Sequence, residues 1–120
     1  EHNRSEAIQR LGWQTDVTPY LAAADVFFHP AEFEGLPFAL LEAMAWSLPS
    51  VITPSLAQEL SFPDGVCAIA KNFSDLNILV NPNQRSIIGQ KGYELVQAKF
   101  SLATMVEKYE RLYCCLCSES

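Results

Sequence analysis

The sequence predicts an α/β fold: part of a doubly wound parallel sheet, closed by two C-terminal helices. Three observations carry that prediction. Short apolar, β-prone runs recur at Asp25-Val26-Phe27-Phe28-His29, Ser50-Val51-Ile52-Thr53 and Val66-Cys67-Ala68-Ile69-Ala70. Stretches of helical composition alternate with them, which is the order of βαβ units with right-handed crossovers. From Asn83 onward the apolar residues recur at helical spacing.

Taken in order, Leu11-Gly12-Trp13 ends a first short strand, and Asp16 or Thr18 then caps a helix with Pro19 near its first turn. That helix runs through Tyr20, Leu21 and three alanines. The run 25–29 reads as a buried parallel strand stopped by Pro30. A loop at residues 31–34 leads into a helix expected over residues 35–47, with Pro37 tolerated in its first turn. Glu42 alone interrupts that helix's apolar surface. Pro49 precedes the strand at 50–53, Pro54 closes it, and Asp64-Gly65 marks a turn before the strand at 66–70. Ile88, Leu95 and Val96 are in phase on a helix over 83–100, and Ser101 caps a second one carrying Leu102, Met105, Val106, Tyr109, Leu112, Tyr113 and Leu116. A parallel sheet of about three or four strands leaves an edge bare, so the sequence reads as half of a doubly wound domain. Its βα core spans 1–73 and its closing helices 74–120.

The 120 residues suffice for one small domain, and 49% hydrophobic content supplies a packed core. Fourteen acidic against eight basic residues give a net charge of −6, with the cations scattered. Such a surface repels phosphate backbones, which argues against nucleic-acid binding. No uninterrupted apolar run reaches the ~18 residues that a spanning helix needs, so any membrane association is expected only through parts outside this chain. Glu1 begins a stretch without the apolar run of a secretory signal, and the expectation is a cut into a longer protein. Of the cysteines, Cys67 stands alone and Cys114, Cys115 and Cys117 cluster at the end. Reduced thiols in a cytoplasmic compartment are the expectation, with a metal or lipidated site as the alternative.

Function is most legible at Glu34-Gly35-Leu36-Pro37-Phe38-Ala39-Leu40-Leu41-Glu42. The segment follows a buried strand, where open α/β sheets bind ligands. At a helix start, Gly35 and Leu36 offer main-chain N–H groups to an anion such as phosphate, and Pro37 offers none. Two like charges ~4 Å apart cost about 4 kcal/mol at an effective dielectric of 20, so Glu34 belongs against neutral hydroxyls and not against a diphosphate. Glu42 stands eight positions on, about two turns or ~12 Å if both residues are helical. A charge on that apolar helix needs partners, and the paired hydroxyls of a ribose suit one carboxylate. A glutamate at such a position also serves a helix dipole or pairs with a structural Arg, and residue types alone leave both readings open.

The wider sequence resembles the group 1, or family 4, glycosyltransferases, whose C-terminal domain carries the signature E-G-x-P-x-x-x-x-E-A-M-A. Glu34, Gly35, Pro37, Glu42, Ala43, Met44 and Ala45 match it. Upstream, a Leu-Gly, a Thr-Asp-Val, an Ala-Ala-Asp and a strand ending in Pro30 fall in family order between Leu11 and Pro30. Glu59 sits where the family has a glutamate after its Gly-Gly segment, and the stretch from Phe100-Ser101 to Tyr113 resembles its closing helix. The resemblance implies a Rossmann-like half of the C-terminal domain in a two-domain GT-B architecture, with the acceptor domain outside this chain. It implies that Glu34 is the catalytic residue and contacts hydroxyls of the transferred sugar. It further implies that Gly35 and Leu36 give main-chain contacts near the sugar and diphosphate, and that Glu42 binds the ribose. The implied donor is a nucleotide diphosphate sugar and the acceptor a hydroxyl. Anomeric configuration is retained, and neither a metal nor another cofactor is required.

An Arg and Lys pair upstream of this chain is expected to stabilise the leaving diphosphate. Departures from the pattern fall at Ser47 and Leu48, at Leu56-Ala57-Gln58 where glycines are usual, and at Ala31, which replaces a common Ser. His29 and Trp13 read as packing residues. Alternatives to transfer are a non-catalytic nucleotide-sugar-binding or protein-interaction module and a GT-B sugar-nucleotide epimerase.

Overall fold

The computed structural model describes residues 8–118. In chain order the elements are α1 (Thr18–Ala23), β1 (Phe27–His29), α2 (Phe38–Ala45), β2 (Ser50–Ile52), α3 (Pro54–Leu60) and β3 (Ala68–Ile69). A 3-10 segment (Phe73–Val80), α4 (Pro82–Lys99) and α5 (Leu102–Ser118) complete the chain. The strands form one parallel sheet in the order β1-β2-β3. His29 faces Ile52 across the first ladder and Ile52 faces Ile69 across the second, so the carboxyl ends of all three strands lie side by side.

The central strand is buried along its whole length, as the uninterrupted run Ser50-Val51-Ile52 requires. Ile52 enters a core built from Leu40, Leu41 and Met44 of α2, Leu56 of α3, and Leu95 and Val96 of α4. Val51 takes part in a second core with Ala68, Leu79 and Ile88. Buried Ser50 satisfies its hydroxyl by donating to the Leu48 carbonyl at 3.0 Å.

Helix ends follow local chemistry. Thr53 caps α3 by accepting the Leu56 N–H at 3.2 Å, and Pro54 occupies the first turn. Asn81 accepts the Asn83 N–H at 2.9 Å ahead of Pro82, and Ser101 accepts the Thr104 N–H at 3.2 Å at the start of α5. Asp16 accepts the Thr18 N–H at 2.9 Å, and hydrogen bonding from Thr18 holds its carboxyl below the ordinary aspartate range.

The backbone of α4 comes very close to the turn after α2. A Cβ built on Gly89 would stand 2.1 Å from the Ser47 carbonyl oxygen. Ser47 itself has φ 55°, the left-handed conformation that glycine adopts without strain. From Leu102 to Cys117, every residue of α5 except Thr104 is exposed, including Leu102, Met105, Tyr109, Leu112, Tyr113 and Leu116.

Several sequence expectations are corrected. Leu11-Gly12-Trp13 is not a strand: Gly12 has φ 67°, which breaks an extended path, and the Gln14 amide donates to the Leu11 carbonyl at 2.8 Å. The helix expected over 35–47 is α2, Phe38–Ala45. Pro37, at φ −79° and ψ 82°, precedes it, and the Phe38 N–H turns back to the Leu36 carbonyl at 3.0 Å. Gly35 and Leu36 therefore lie in the loop and not in the first helical turn. All three strands are shorter than their apolar runs. The sequence reading assigned neither α3 nor the 3-10 segment, although Thr53-Pro54 is a cap followed by a first-turn proline.

Candidate functional site

The carboxyl ends of β1 and β2 form a rim, and residues 30–37 leave it as a loop. Side chains from α3 and its cap hold that loop. Thr53 donates its hydroxyl to the Ala31 carbonyl at 2.7 Å, and Ser55 donates to the Glu32 carboxylate at 2.8 Å. The Glu34 N–H donates to the Glu59 carboxylate at 3.1 Å. Gly35 and Leu36 are exposed, and their N–H groups have no partner among the described residues. Nothing stands within 4 Å of a Cβ built on Gly35.

Glu34 itself is about half open: its side chain is 40% exposed, and one carboxylate oxygen lies 3.6 Å from Nε2 of His29. That separation is too long for a direct hydrogen bond. The His29 Nε2 is buried and has no hydrogen-bond partner among the described residues. Its ring stacks on Phe27, with centroids 6.0 Å apart and planes at 16°. The packing role expected for His29 is present, but its polar edge is turned to Glu34.

Glu42 occupies a different surface. Leu40, Leu41, Ala43 and Met44 face the core, which turns Glu42 and Ala39 outward. Among the described residues Glu42 makes no ion pair, so the structural-Arg alternative finds no support there. Glu42 lines a groove of about 520 Å³ between α2 and the segment leading into α1. Trp13 and Tyr20 border the same groove, and Phe27, Leu21 and Leu48 make its walls apolar. Trp13 is 91% exposed, which corrects the packing role expected from sequence. Its loop is braced: Gln14 donates to the Leu11 carbonyl and accepts from the Tyr20 hydroxyl at 3.0 Å.

The two glutamates thus stand on consecutive parts of one strand-loop-helix unit but do not share a cavity, since Glu34 is not part of the groove lining. The two-turn helical spacing expected between them does not apply, because only Glu42 is helical. Sequence reasoning placed Glu59 only through the resemblance and gave it no contact. The i, i+4 and i, i+5 steps from a capping Thr53-Pro54-Ser55 were the available signal.

Comparison with known proteins follows this geometry. The sequence profile of the family described as "Glycosyl transferases group 1" matches residues 1–83. Over 116 residues the chain is 28% identical to the lipopolysaccharide core biosynthesis glycosyltransferase LpsE of Rhizobium meliloti (strain 1021), covering 90% of this chain and 34% of that protein. Over 118 residues it is 25% identical to the UDP-Gal:alpha-D-GlcNAc-diphosphoundecaprenol alpha-1,3-galactosyltransferase of Escherichia coli, covering 92% of this chain and 30% of that one. The chain spans about a third of the length of the curated relatives it matches.

Proposed function

This chain belongs to the group 1 glycosyl transferases, and we propose that it forms the donor-binding part of a retaining enzyme that moves a glycosyl unit from a nucleotide diphosphate sugar to a hydroxyl acceptor. The observation that carries this reading is the groove in which unpaired Glu42 and exposed Trp13 meet. An indole face stacks on a nucleobase, and one carboxylate accepts from both hydroxyls of a ribose. A groove of about 520 Å³ with apolar walls is of the size that binds a nucleoside.

Glu34, open to solvent beside His29, accepts hydrogen bonds from hydroxyls of the transferred sugar and is the catalytic residue in this reading. The free N–H groups of Gly35 and Leu36 face the sugar and diphosphate. Catalysis is electrostatic: charge developing on the departing diphosphate is met by donors held in place beforehand. With a net charge of −6, this chain leaves the cations to an Arg and Lys pair in preceding loops. An acceptor domain outside the 120 residues completes the enzyme, no cofactor takes part, and the reaction is placed in the cytoplasm. Among the described residues, no helix is long and apolar enough to cross a membrane.

The test is calorimetric titration of the full-length protein with a panel of nucleotide sugars, beginning with UDP-galactose because the Escherichia coli relative is named for it. Glu42→Gln is expected to weaken donor binding about tenfold, the scale of one charge-assisted hydrogen bond, with the melting temperature unchanged. Glu34→Ala is expected to depress turnover more than donor affinity. Unaltered donor affinity in Glu42→Gln, with thermal stability lost instead, would assign Glu42 a structural role and end this reading.

A further inference from the structure

Resting on the reading above, we infer that Glu59 is a positioning residue for glycosyl transfer: by accepting the Glu34 N–H, it sets where the Glu34 carboxylate stands above the sheet rim. Residues 30–37 carry no regular structure, so their path is fixed by side-chain ties. Thr53 and Ser55, at the start of α3, hold Ala31 and Glu32. Glu59 is the tie that reaches Glu34 itself, at 3.1 Å, and it comes from the last turn of α3. Immediately after Glu34 the chain passes through Gly35, which has no side chain to pack and open space where a Cβ would stand. On the other side stands Phe33, 82% exposed. The Glu59 contact is therefore the side-chain hydrogen bond that fixes the main chain at Glu34 itself, between an exposed phenylalanine and a glycine.

The chemistry of the residue agrees. A third carboxylate beside Glu32 and Glu34 adds repulsion, so a role as a bare charge is unfavourable here. As an acceptor for a main-chain N–H it does what no cation and no apolar residue can do. Its effect on the reaction passes through Glu34, because misplacing a substrate contact by ~1 Å costs on the order of 100-fold in rate. Glu42 and Trp13 border a separate groove whose lining does not include Glu59, so binding of the nucleoside part is expected to be independent of it, whereas Gly35 and Leu36 lie on the loop that Glu59 holds.

The experiment compares Glu59→Ala, Glu59→Asp and Glu59→Gln in the full-length protein, reading kcat, KM, affinity for the free nucleoside, and melting temperature. Ala has no acceptor, and Asp keeps the charge on a side chain one methylene shorter. Both should lower kcat about 10- to 100-fold while nucleoside affinity stays within about twofold. Gln retains an oxygen at the same reach and should restore kcat to within about threefold of the native value. Native kcat in Glu59→Ala or Glu59→Asp overturns the inference, as does a Gln variant as impaired as Ala. A melting temperature that falls in step with kcat across the series marks Glu59 as structural and overturns it too. Glu34→Ala is the control: if its turnover is normal, the reading of Glu34 fails, whereas impaired Glu34→Ala beside normal Glu59→Ala refutes only the positioning role.

Discussion

Replacing Gly89 by alanine adds one methyl at a point where two backbones already touch. Its Cβ would lie 2.1 Å from the Ser47 carbonyl oxygen. Carbon and oxygen approach to about 3.3 Å at closest, so α4 and the turn after α2 must part by about 1 Å. Neither side is a flexible side-chain tip, and overpacking of this kind costs about 1–3 kcal/mol or more. With backbone on both sides the cost sits at the upper end of that range, about 3 kcal/mol, and alanine recovers up to about 1 kcal/mol through helix propensity, which leaves a net loss of about 2 kcal/mol. For a domain of this size that corresponds to a fall of about 6–12 °C in melting temperature, measurable by circular dichroism or calorimetry.

Gly92→Ala is the matched control. Its Cβ would meet Met44 Cγ at 3.3 Å, and an unbranched methionine can turn aside. Stability should be unchanged or slightly raised. A Gly89→Ala protein that melts at or above the native temperature, or a Gly92→Ala protein that loses as much, would refute the argument. The effect also reaches the groove, because the parted turn carries the C-terminal end of the helix that presents Glu42. Gly89→Ala is expected to weaken donor binding without touching the ligand.

Two further outcomes follow from local geometry. Ser47→Gly should raise the melting temperature by about 2–4 °C, since the left-handed conformation at φ 55° costs serine about 1–2 kcal/mol and the added freedom of the unfolded glycine returns only part of it; a lower melting temperature would show that Ser47 is not strained. Burial raises the Cys67 thiol to about 12, so at pH 8 a native-state alkylation followed by mass spectrometry should modify exposed Cys117 and spare Cys67. Equal labelling of the two would contradict the burial of Cys67.

How much was legible in advance differs between elements for physical reasons. A fully buried parallel strand announces itself as a continuous apolar run, as β2 does; β1 and β3 carry similar runs but are not the buried strands expected, since Phe28 and Ile69 are exposed. The ends of the strands were not legible, because pairing stops where a partner stops, and this is a tertiary fact. The caps at Ser101 and Thr53 are local chemistry, yet only the first was read as a helix start. The start of α2 is three residues later than expected: Pro37 fits a first turn equally well until its ψ of 82° is known. At the candidate site, Glu42 was readable as a lone charge on an apolar helix. The contact between Glu34 and Glu59 was not readable, since it joins residues 25 positions apart through a main-chain N–H that no side-chain pattern reports. Trp13 was misjudged because exposure of a large aromatic is decided by what the rest of the fold leaves uncovered.

The final helix bears on how this segment behaves in isolation. Its 17 residues form a rod about 25 Å long, with seven large apolar or aromatic side chains open to water. A helix that buries so little of its own surface draws scant support from tertiary packing, which is where most helical stability arises in proteins. When the 120 residues are prepared alone, this rod should therefore be the first part to exchange its amide protons, and the oily stripe it carries should make the preparation prone to clumping at high concentration.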